Sequence, residues 1–333
     1  MSPIGITMGC PVGIGPEIVL KYFKDWKRFD SFEPVVIGDL GVLRHTAEHL
    51  GIDIPCISWH PGEPLPGEGV PVHSVSKLEC GNLVWAKPTS ETGQAMAAYI
   101  ETAVKLCREG KLDGLVTCPI SKSALQQSGY SYPGHTEMLA DLTASKDFTM
   151  MMAGQRLRVV LVTIHCSLKN MLDRLSIDSI CNRIGLTHAS LKTDFDIAAP
   201  RIAVAGLNPH AGEEGLFGFE ENEIIIPAVE RSRNSGIDVT GPLPPDTVFL
   251  KAAQGDFDAV VCMYHDQGLI PFKLLHFSDG VNVTIGLSIV RTSVDHGTAY
   301  DIAGKGLADP ESLRAAVKLA GEIAQNRHKH KHS

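Results

Sequence analysis

The chain has 333 residues, of which 44% are hydrophobic and 20% are charged, and its 30 Lys and Arg against 38 Asp and Glu give a net charge of −8. This composition excludes intrinsic disorder, and the lack of any basic block argues against a nucleic-acid partner. Because single cores stop growing at roughly 250 to 300 residues, we expect two domains with a cleft between them.

Membrane insertion and secretion are also disfavoured. No apolar run approaches the ~20 residues that span a bilayer, and the first ten residues lack a basic region followed by an apolar stretch. The eight cysteines are scattered without a CxxC pair, which fits reduced and mostly buried thiols. We therefore expect a cytoplasmic protein that has no contact with a membrane.

Short β-branched runs bounded by Gly or Pro recur along the chain and are typical of buried strands. We predict strands at Ile4–Met8, Val35–Gly38, Leu115–Thr117, Val159–His165, Ile202–Leu207, Ala259–His265 and Val281–Ile285.

Helical patterns lie between several of these runs. Ser90–Gly110 places its apolar residues on one face with a period of 3.6 residues, and the Asp-Pro-Glu sequence at 309–311 predicts a helix start. Alternating strands and helices predict an α/β fold with a largely parallel sheet covered on both faces. We interpret Pro61–Gly69 as a surface loop and the basic tail His328–His332 as a frayed terminus.

Three histidines occupy equivalent positions in this pattern. His165 and His265 end predicted strands, and His210 follows another strand after an Asn-Pro turn. Ligands gather at the carboxyl ends of parallel strands, so the three imidazoles could converge on a metal site with open coordination positions, as in catalytic zinc sites. The alternative is that each histidine ends a strand and forms only local hydrogen bonds.

Acidic residues accompany these histidines. Asp266 follows His265 directly, Glu213 is close to His210 in sequence, and Asp246 lies in the turn-rich segment GPLPPDT. Carboxylates of this kind orient metal-bound imidazoles.

A second group of residues is cationic or hydrogen-bond donating. It comprises Lys273, Asn282 and Arg291, together with His135 and Thr136 in the loop YPGHTE. Such donors suit a phosphorylated acid, because guanidinium binds anions through two parallel hydrogen bonds. The alternative is that they are ordinary surface residues.

The N-terminal segment GITMGCPVGIGPE offers a weaker signal. Gly13 and Gly15 precede an apolar helix and could let a ligand approach backbone amides at the helix start. Their spacing is not GxGxxG, and such turns often reflect tight packing alone, so the segment does not predict a Rossmann dinucleotide site.

Taken in order, eight motifs resemble the 4-hydroxythreonine-4-phosphate dehydrogenase family, over residues 5 to about 306. They are GITMGCPVGIGPE, YPGHTEMLA, VTIHCSL, GLNPHAGEEGLFG, GPLPPDT, MYHDQGLIPFK, GVNVTIGL and RTSVDHGTAYDIAGKG. The resemblance implies two α/β/α domains around a cleft that binds NAD, as in isocitrate and isopropylmalate dehydrogenases. We therefore expect residues 1–120 and about 286–333 to form the NAD-side domain, and residues 121–285 to form the domain with the metal ligands and the dimer interface.

The resemblance also implies roles for individual residues. His165, His210 and His265 would bind a divalent metal (Zn, Mg, Co or Mn), the third reaching across a homodimer interface to complete a site begun by the other two. The phosphorylated substrate would be bound by His135, Thr136, Lys273, Asn282 and Arg291.

Further expectations concern the cofactor and the proton. Gly13 and Gly15 are candidates for contacting NAD or NADP, and Cys10 stands where the family usually has an acidic residue before the proline. A structural replacement at that position and a change in cofactor handling are both open. Lys273 or a metal-bound water would move the proton, while Asp246 and Asp266 would tune the imidazoles.

The reaction implied is oxidation and decarboxylation of a 4-phosphorylated four-carbon hydroxy acid. Family members oxidise 4-phosphooxy-threonine on the route to pyridoxal phosphate, and a sister group oxidises 4-phospho-D-threonate or 4-phospho-D-erythronate. The segments GPLPPDTVF and LLHFSDGVN are closer to the sister group. Taken without the resemblance, the residues also fit a metal-dependent aldolase or hydrolase acting on a small phosphorylated substrate, or a non-catalytic metal-binding protein.

Overall fold

A computed structural model describes residues 2–26 and 32–331. The chain divides into two compact units: unit 1 comprises residues 1–146 and 287–324, and unit 2 comprises residues 147–286 and 325–333. Residues 121–146, which the sequence analysis assigned to the second domain, therefore belong to unit 1.

The strands are short and most are buried. In chain order they are β1 (Ile4–Thr7), β2 (Pro34–Gly38), β3 (Cys56–Ser58), β4 (Val70–Ser74), β5 (Gly114–Thr117), β6 (Thr149–Ala153), β7 (Arg158–Leu161), β8 (Ile202–Ala205), β9 (Val239–Leu243), β10 (Ala259–Cys262), β11 (Val281–Ile285) and β12 (Arg291–Ser293).

The α-helices alternate with these strands over most of the chain. They are α1 (Gly15–Asp25), α2 (Leu40–Leu50), α3 (Ser90–Arg108), α4 (Lys122–Gln127), α5 (His135–Leu142), α6 (Leu168–Leu172), α7 (Ile177–Thr193), α8 (Ile226–Asn234), α9 (Val248–Ala253), α10 (His265–Leu275) and α11 (Glu311–Lys331). Within residues 2–26 and 32–331, none of the helices combines the length and apolar character needed to cross a membrane.

Unit 1 contains a parallel run of strands in the order β3-β4-β2-β1-β5-β12. All four residues of β1 and of β5 are buried, as expected for central strands with both faces covered. The register pairs Thr7 of β1 with Thr117 of β5, and Thr117 with Ser293 of β12. Three hydroxyl side chains therefore lie at the carboxyl ends of adjacent strands.

Unit 2 orders its strands β11-β6-β7-β10-β8-β9. The pairs from β7 to β9 are parallel, whereas β6 is antiparallel to both β11 and β7. Strand β6 was not among the predicted strands, because its core is the run Met150–Met152, which lacks the β-branched residues that marked the other strands. The predicted largely parallel sheet is thus correct apart from this insertion.

Two of the predicted helices agree closely with the structure. The predicted helix Ser90–Gly110 is α3, whose first turn is fixed by a capping box between Thr89 and Thr92. The helix start predicted at 309–311 is the start of α11. The loop predicted at Pro61–Gly69 is also irregular, between β3 and β4.

The prediction of a frayed tail is wrong for the residues described, since α11 continues to Lys331. Arg327 donates to the carboxylate of buried Asp194 at 2.6 Å, and Lys329 pairs with Asp196. These contacts order the basic segment, and His332 lies outside the described residues.

Candidate active site

The loops that follow β7 and β10 carry His165 and His265. Both lie beyond the regular strands, which end at Leu161 and Cys262, so the predicted strand ends extended three to four residues too far. Parallel pairing continues past the strands, however, because Val162 N–H donates to the Cys262 carbonyl at 2.8 Å. The backbone therefore stays paired for a short distance beyond the regular strands, which accounts for the strand-like sequence pattern that continues to the histidines.

Thr163 strengthens the link between these two loops. Its hydroxyl donates to the carbonyl of Met263 at 2.7 Å, and its backbone N–H donates to the same oxygen at 3.2 Å. The two imidazoles leave this junction with ring centroids 5.9 Å apart. The structure therefore brings together two of the three predicted metal ligands.

A pocket of about 250 Å³ opens at this junction. It is lined by Thr163, Ile164, His165, Cys166, Leu168, Tyr264, His265 and Asp266. Oδ1 of Asp266 accepts a hydrogen bond from Nδ1 of His265 at 2.7 Å, which fixes the orientation of the imidazole. A carboxylate on one ring nitrogen leaves the other nitrogen as the ligand atom, the arrangement that orients metal-binding histidines.

His210 lies on a separate loop of unit 2 with an unusual backbone. Five consecutive residues, His210–Glu214, have φ between 41° and 80°. A left-handed conformation costs roughly 1–2 kcal/mol for each non-glycine residue, so other contacts must hold this loop in place. The ring of His210 is exposed and lies 6.0 Å from the ring of Phe217.

Glu221 supplies those contacts. Its side chain is buried, and one carboxylate oxygen accepts the backbone N–H groups of Leu207 and Asn208, both at 2.7 Å. The second oxygen accepts the Asn208 side-chain amide at 2.8 Å. Glu221 thus anchors the entry to the left-handed segment, a role that sequence analysis missed because nothing in the spacing links residue 221 to residue 207.

Gln267 connects the loop of His265 with the strand that leads to His210. Its side-chain carbonyl accepts Met263 N–H at 2.7 Å, and its amide donates to the Gly206 carbonyl at 2.6 Å.

Residues 2–26 and 32–331 of a single chain nevertheless contain no group of three His, Cys, Asp or Glu residues able to hold a metal. The convergence of all three histidines within one chain is not observed.

The other predicted residues of unit 2 are spread over three elements. Lys273 is half-buried in the last turn of α10, the helix that begins at His265. Asn282 lies on β11, and its amide contacts the sulfur of Met150 at 3.2 Å. Asp246 is exposed between β9 and α9 and does not line the pocket of His165 and His265.

Unit 1 contains the remaining predicted substrate residues. His135 and Thr136 begin α5, whose N-cap is Gly134 and therefore provides no side-chain acceptor for the first backbone N–H groups. Arg291 is 3% exposed at the start of β12, and its guanidinium donates to the Thr117 hydroxyl at 2.7 Å. A helix N-terminus beside a buried guanidinium is suited to an anion.

Burial and charge shift the pKa values of these groups. Burial, followed by the charges of Arg291 and Lys122, holds the pKa of His135 well below its usual value. Burial lowers the pKa of Arg291 to about 10, while the nearby carboxylate of Glu137 opposes that shift. Nε2 of His135 is buried and has no hydrogen-bond partner in the described parts of the chain. His135 is therefore a neutral ring with one buried nitrogen that has no hydrogen-bond partner among the described residues.

Packing accounts for the N-terminal glycines. A Cβ at Gly15 would collide with the carbonyl oxygen of Met8, and a Cβ at Gly13 would lie 3.2 Å from the Thr298 carbonyl oxygen. Cys10 is buried beside Val12, and its sulfur lies 3.5 Å from the hydroxyl of Tyr300. Burial raises the pKa of Cys10, so this position carries a neutral thiol. These contacts explain the motif as close packing, and its contact with a cofactor stays a prediction.

The role of Glu221 can be tested by E221Q. The amide would present a donor where a carboxylate oxygen now accepts, so we expect a loss of about 2 kcal/mol in the free energy of unfolding. Hydrogen exchange should accelerate at the amides of Leu207 and Asn208. The exposed neighbour Glu223 provides the control E223Q, which should stay within about 0.5 kcal/mol of wild type. Equal stability of the two variants would contradict the anchoring role.

The protonation state of His135 gives a second prediction. Its ring should stay neutral as the pH falls through about 6.5, where an unperturbed imidazole titrates, and should protonate only at lower pH. Because the unfolded chain then binds the proton more readily, this group destabilises the fold as the pH drops below about 6.5. Nitrogen-15 NMR titration measures the midpoint, with H135Q identifying the signal. A midpoint at or above 6.5 would show that the ring is not buried among cations.

Known proteins resemble this chain over nearly its whole length. Residues 30–320 match the family model described as pyridoxal phosphate biosynthetic protein PdxA. A 4-hydroxythreonine-4-phosphate dehydrogenase of Desulfosudis oleivorans is 55% identical over 322 residues, covering 95% of this chain and 94% of that protein. A D-threonate 4-phosphate dehydrogenase of Cupriavidus necator is 44% identical over 326 residues, covering 97% and 98%.

A solved structure extends the comparison to the fold. The crystal structure of 4-hydroxythreonine-4-phosphate dehydrogenase from Klebsiella pneumoniae superposes with a TM-score of 0.91 at 42% identity, covering 97% of this chain and 98% of that one. This match confirms the α/β fold and the family resemblance inferred from the motifs. The relatives are dehydrogenases, and the chain belongs to the PdxA family of oxidoreductases.

Proposed function

We propose that the protein is a dehydrogenase that uses NAD (or NADP) and a divalent metal to oxidise and decarboxylate a 4-phosphorylated four-carbon hydroxy acid. The observation that carries the proposal is the match to dehydrogenases of such acids over 95% or more of the chain. The candidate substrates are 4-hydroxythreonine-4-phosphate, 4-phospho-D-threonate and 4-phospho-D-erythronate.

The phosphate is assigned to the residues of unit 1. Arg291 would donate paired hydrogen bonds to phosphate oxygens, and the uncapped first turn of α5 would add the backbone N–H groups of His135 and Thr136. A neutral His135 can donate a hydrogen bond to phosphate through one ring nitrogen. Lys273 and Asn282 stay predicted substrate contacts, as the resemblance implies.

Two of the three predicted histidine ligands lie where they could bind the same divalent metal. His165 and His265 lie at one pocket with Asp266 orienting His265, and imidazole nitrogen is a ligand that suits Zn. A metal bound there would supply Lewis acidity that lowers the pKa of the substrate hydroxyl. Two protein ligands are fewer than the usual three of a catalytic site, so the proposal completes the site with a histidine from a second chain. The resemblance implies that His265 is the ligand that crosses the interface, whereas here His265 lies beside His165 of its own chain.

Side chains of the protein would accept and return the proton. Oxidation would take a hydride from the substrate carbon, which NAD would accept when bound, and a proton from the hydroxyl, and the resulting 3-keto acid would lose its carboxylate as carbon dioxide. Lys273, on the helix that begins at His265, is the candidate to accept and return the proton. Asp266 keeps His265 in the ligating orientation. Asp246, which is exposed and does not line the pocket, is the weakest of the predicted catalytic residues.

Exposed apolar side chains of unit 2 support the proposed homodimer. On α10, Ile270 is 60% exposed and Leu274, one turn later, is 81% exposed, while Phe277 beyond the helix end is 82% exposed. Apolar surface of this kind marks contact with another protein. Because α10 begins at His265, a second chain covering this surface would lie close to the metal ligands.

A steady-state assay tests the reaction. With NAD and a divalent metal, absorbance at 340 nm should rise with one or more of the three phosphorylated acids, and comparing kcat/KM among them identifies the substrate. H265A should lower the rate by at least about 100-fold, the upper range for residues that merely support metal-bound histidines. Turnover without reduction of NAD would instead support a metal-dependent aldolase or hydrolase, and metal binding without turnover would support a non-catalytic protein.

Mixing two inactive variants tests the shared site. If His210 and His265 of one site come from different chains, H210A and H265A mixed in equal amounts should recover about a quarter of wild-type activity, because half of randomly assorted dimers are mixed and each has one intact site. The same experiment with H165A and H265A shows whether those two ligands come from one chain or from both. Failure of every pair to recover activity would overturn the shared site.

A further inference from the structure

Lys122 occupies a position like those of the predicted site residues, although the sequence analysis did not select it. It is the first residue of α4 and follows the short loop that leaves β5 after Thr117. β5 lies between β1 and β12 in the parallel sheet of unit 1. The carboxyl end of a central parallel strand is where α/β proteins bind ligands.

The side chain of Lys122 extends to the start of α5. A Cβ built on Gly134 would lie 3.6 Å from Cε and 3.9 Å from Nζ of Lys122. Its charge is one of the two that lower the pKa of His135, the other being that of Arg291. Three chain segments therefore bring Lys122, Arg291 and the N-terminus of α5 to the same place.

The charges at this place do not balance. Lys122 and Arg291 are cationic, the α5 N-terminus carries a partial positive charge, and His135 is neutral. Glu137, in the first turn of α5, is the carboxylate of the group: it acts on Arg291, and its Oε2 would lie 3.5 Å from the same Cβ on Gly134. The Lys122 ammonium makes no ion pair or side-chain hydrogen bond with any residue in 2–26 or 32–331. The two cations thus outnumber the carboxylate of Glu137 by one charge, and the group also contains the unpartnered Nε2 of His135.

We propose that Lys122 binds the phosphate of the substrate together with His135, Thr136 and Arg291. The inference rests on the proposed function, which assigns a phosphorylated acid to this group. Arg291 is held by Thr117 and can meet one face of the anion, and Lys122 supplies a second full charge from the loop after β5. A phosphate monoester is largely dianionic at neutral pH, so a second cation favours it over a carboxylate with one charge.

The test compares K122M and K122R with a matched control. K105M removes a lysine of the same unit whose side chain is 74% exposed on α3 and which lies outside this group. Binding of inorganic phosphate is measured by calorimetry on the metal-free protein, and KM and kcat are measured with the phosphorylated acid. Thermal unfolding verifies that each variant is folded.

We expect K122M to weaken phosphate binding by at least about tenfold, as the loss of one charge-assisted hydrogen bond does. KM should rise by a similar factor while kcat changes little, because the phosphate takes no part in the bonds that break at the oxidised carbon, so its contact with Lys122 is the same in the bound substrate and in the transition state. K122R should restore binding to within about threefold, and K105M should match wild type.

Two negative results have different meanings. If K122M binds phosphate as tightly as wild type, the role of Lys122 is refuted while the proposed function stands. If wild type binds neither phosphate nor any of the phosphorylated acids, the proposed function itself fails. A large fall in kcat with unchanged phosphate binding would also overturn the proposal, since it would place Lys122 at the reacting atoms.

Discussion

The candidate metal pocket depends on how the backbone leaves the buried parallel strands of unit 2. Every strand end exposes N–H and C=O groups that no longer have a partner in the sheet, and burying them unpaired is costly. Thr163 and Gln267 satisfy these groups at β7, β10 and β8. The same hydrogen bonds fix the loops on which His165 and His265 sit, so the geometry of the pocket follows from the need to pair the backbone.

Glu221 likewise satisfies backbone N–H groups, in this case at the entry to the loop His210–Glu214, whose left-handed conformation needs support from other contacts. Five left-handed residues in succession are unfavourable, and the buried carboxylate compensates by accepting two backbone N–H groups and one side-chain amide. The residue therefore stabilises the fold and positions His210 at the same time. Buried carboxylates are expensive, which explains why each of its oxygens is hydrogen bonded.

Charge is organised locally in this protein. The chain as a whole carries a net charge of −8, yet the start of α5 gathers Arg291 and Lys122 around a neutral imidazole. Burial lowers the pKa of both His135 and Arg291, because removing water disfavours their charged forms. An anionic ligand would offset that cost, so the global sign of the charge does not decide what this site binds.

The sequence by itself determined the α/β class, the central strands, α3, the start of α11 and the family, because these follow from local periodicity, caps and long motifs. It placed His165 and His265 at the ends of strands, whereas the regular strands end three to four residues earlier, at Leu161 and Cys262. Only the tertiary structure decided that these two rings meet while His210 lies on another loop, that Gly15 packs against Met8, and that the basic tail is helical against Asp194 and Asp196. Glu221, Gln267 and Lys122 were missed for the same reason: their roles come from contacts between segments distant in sequence, which local patterns do not encode.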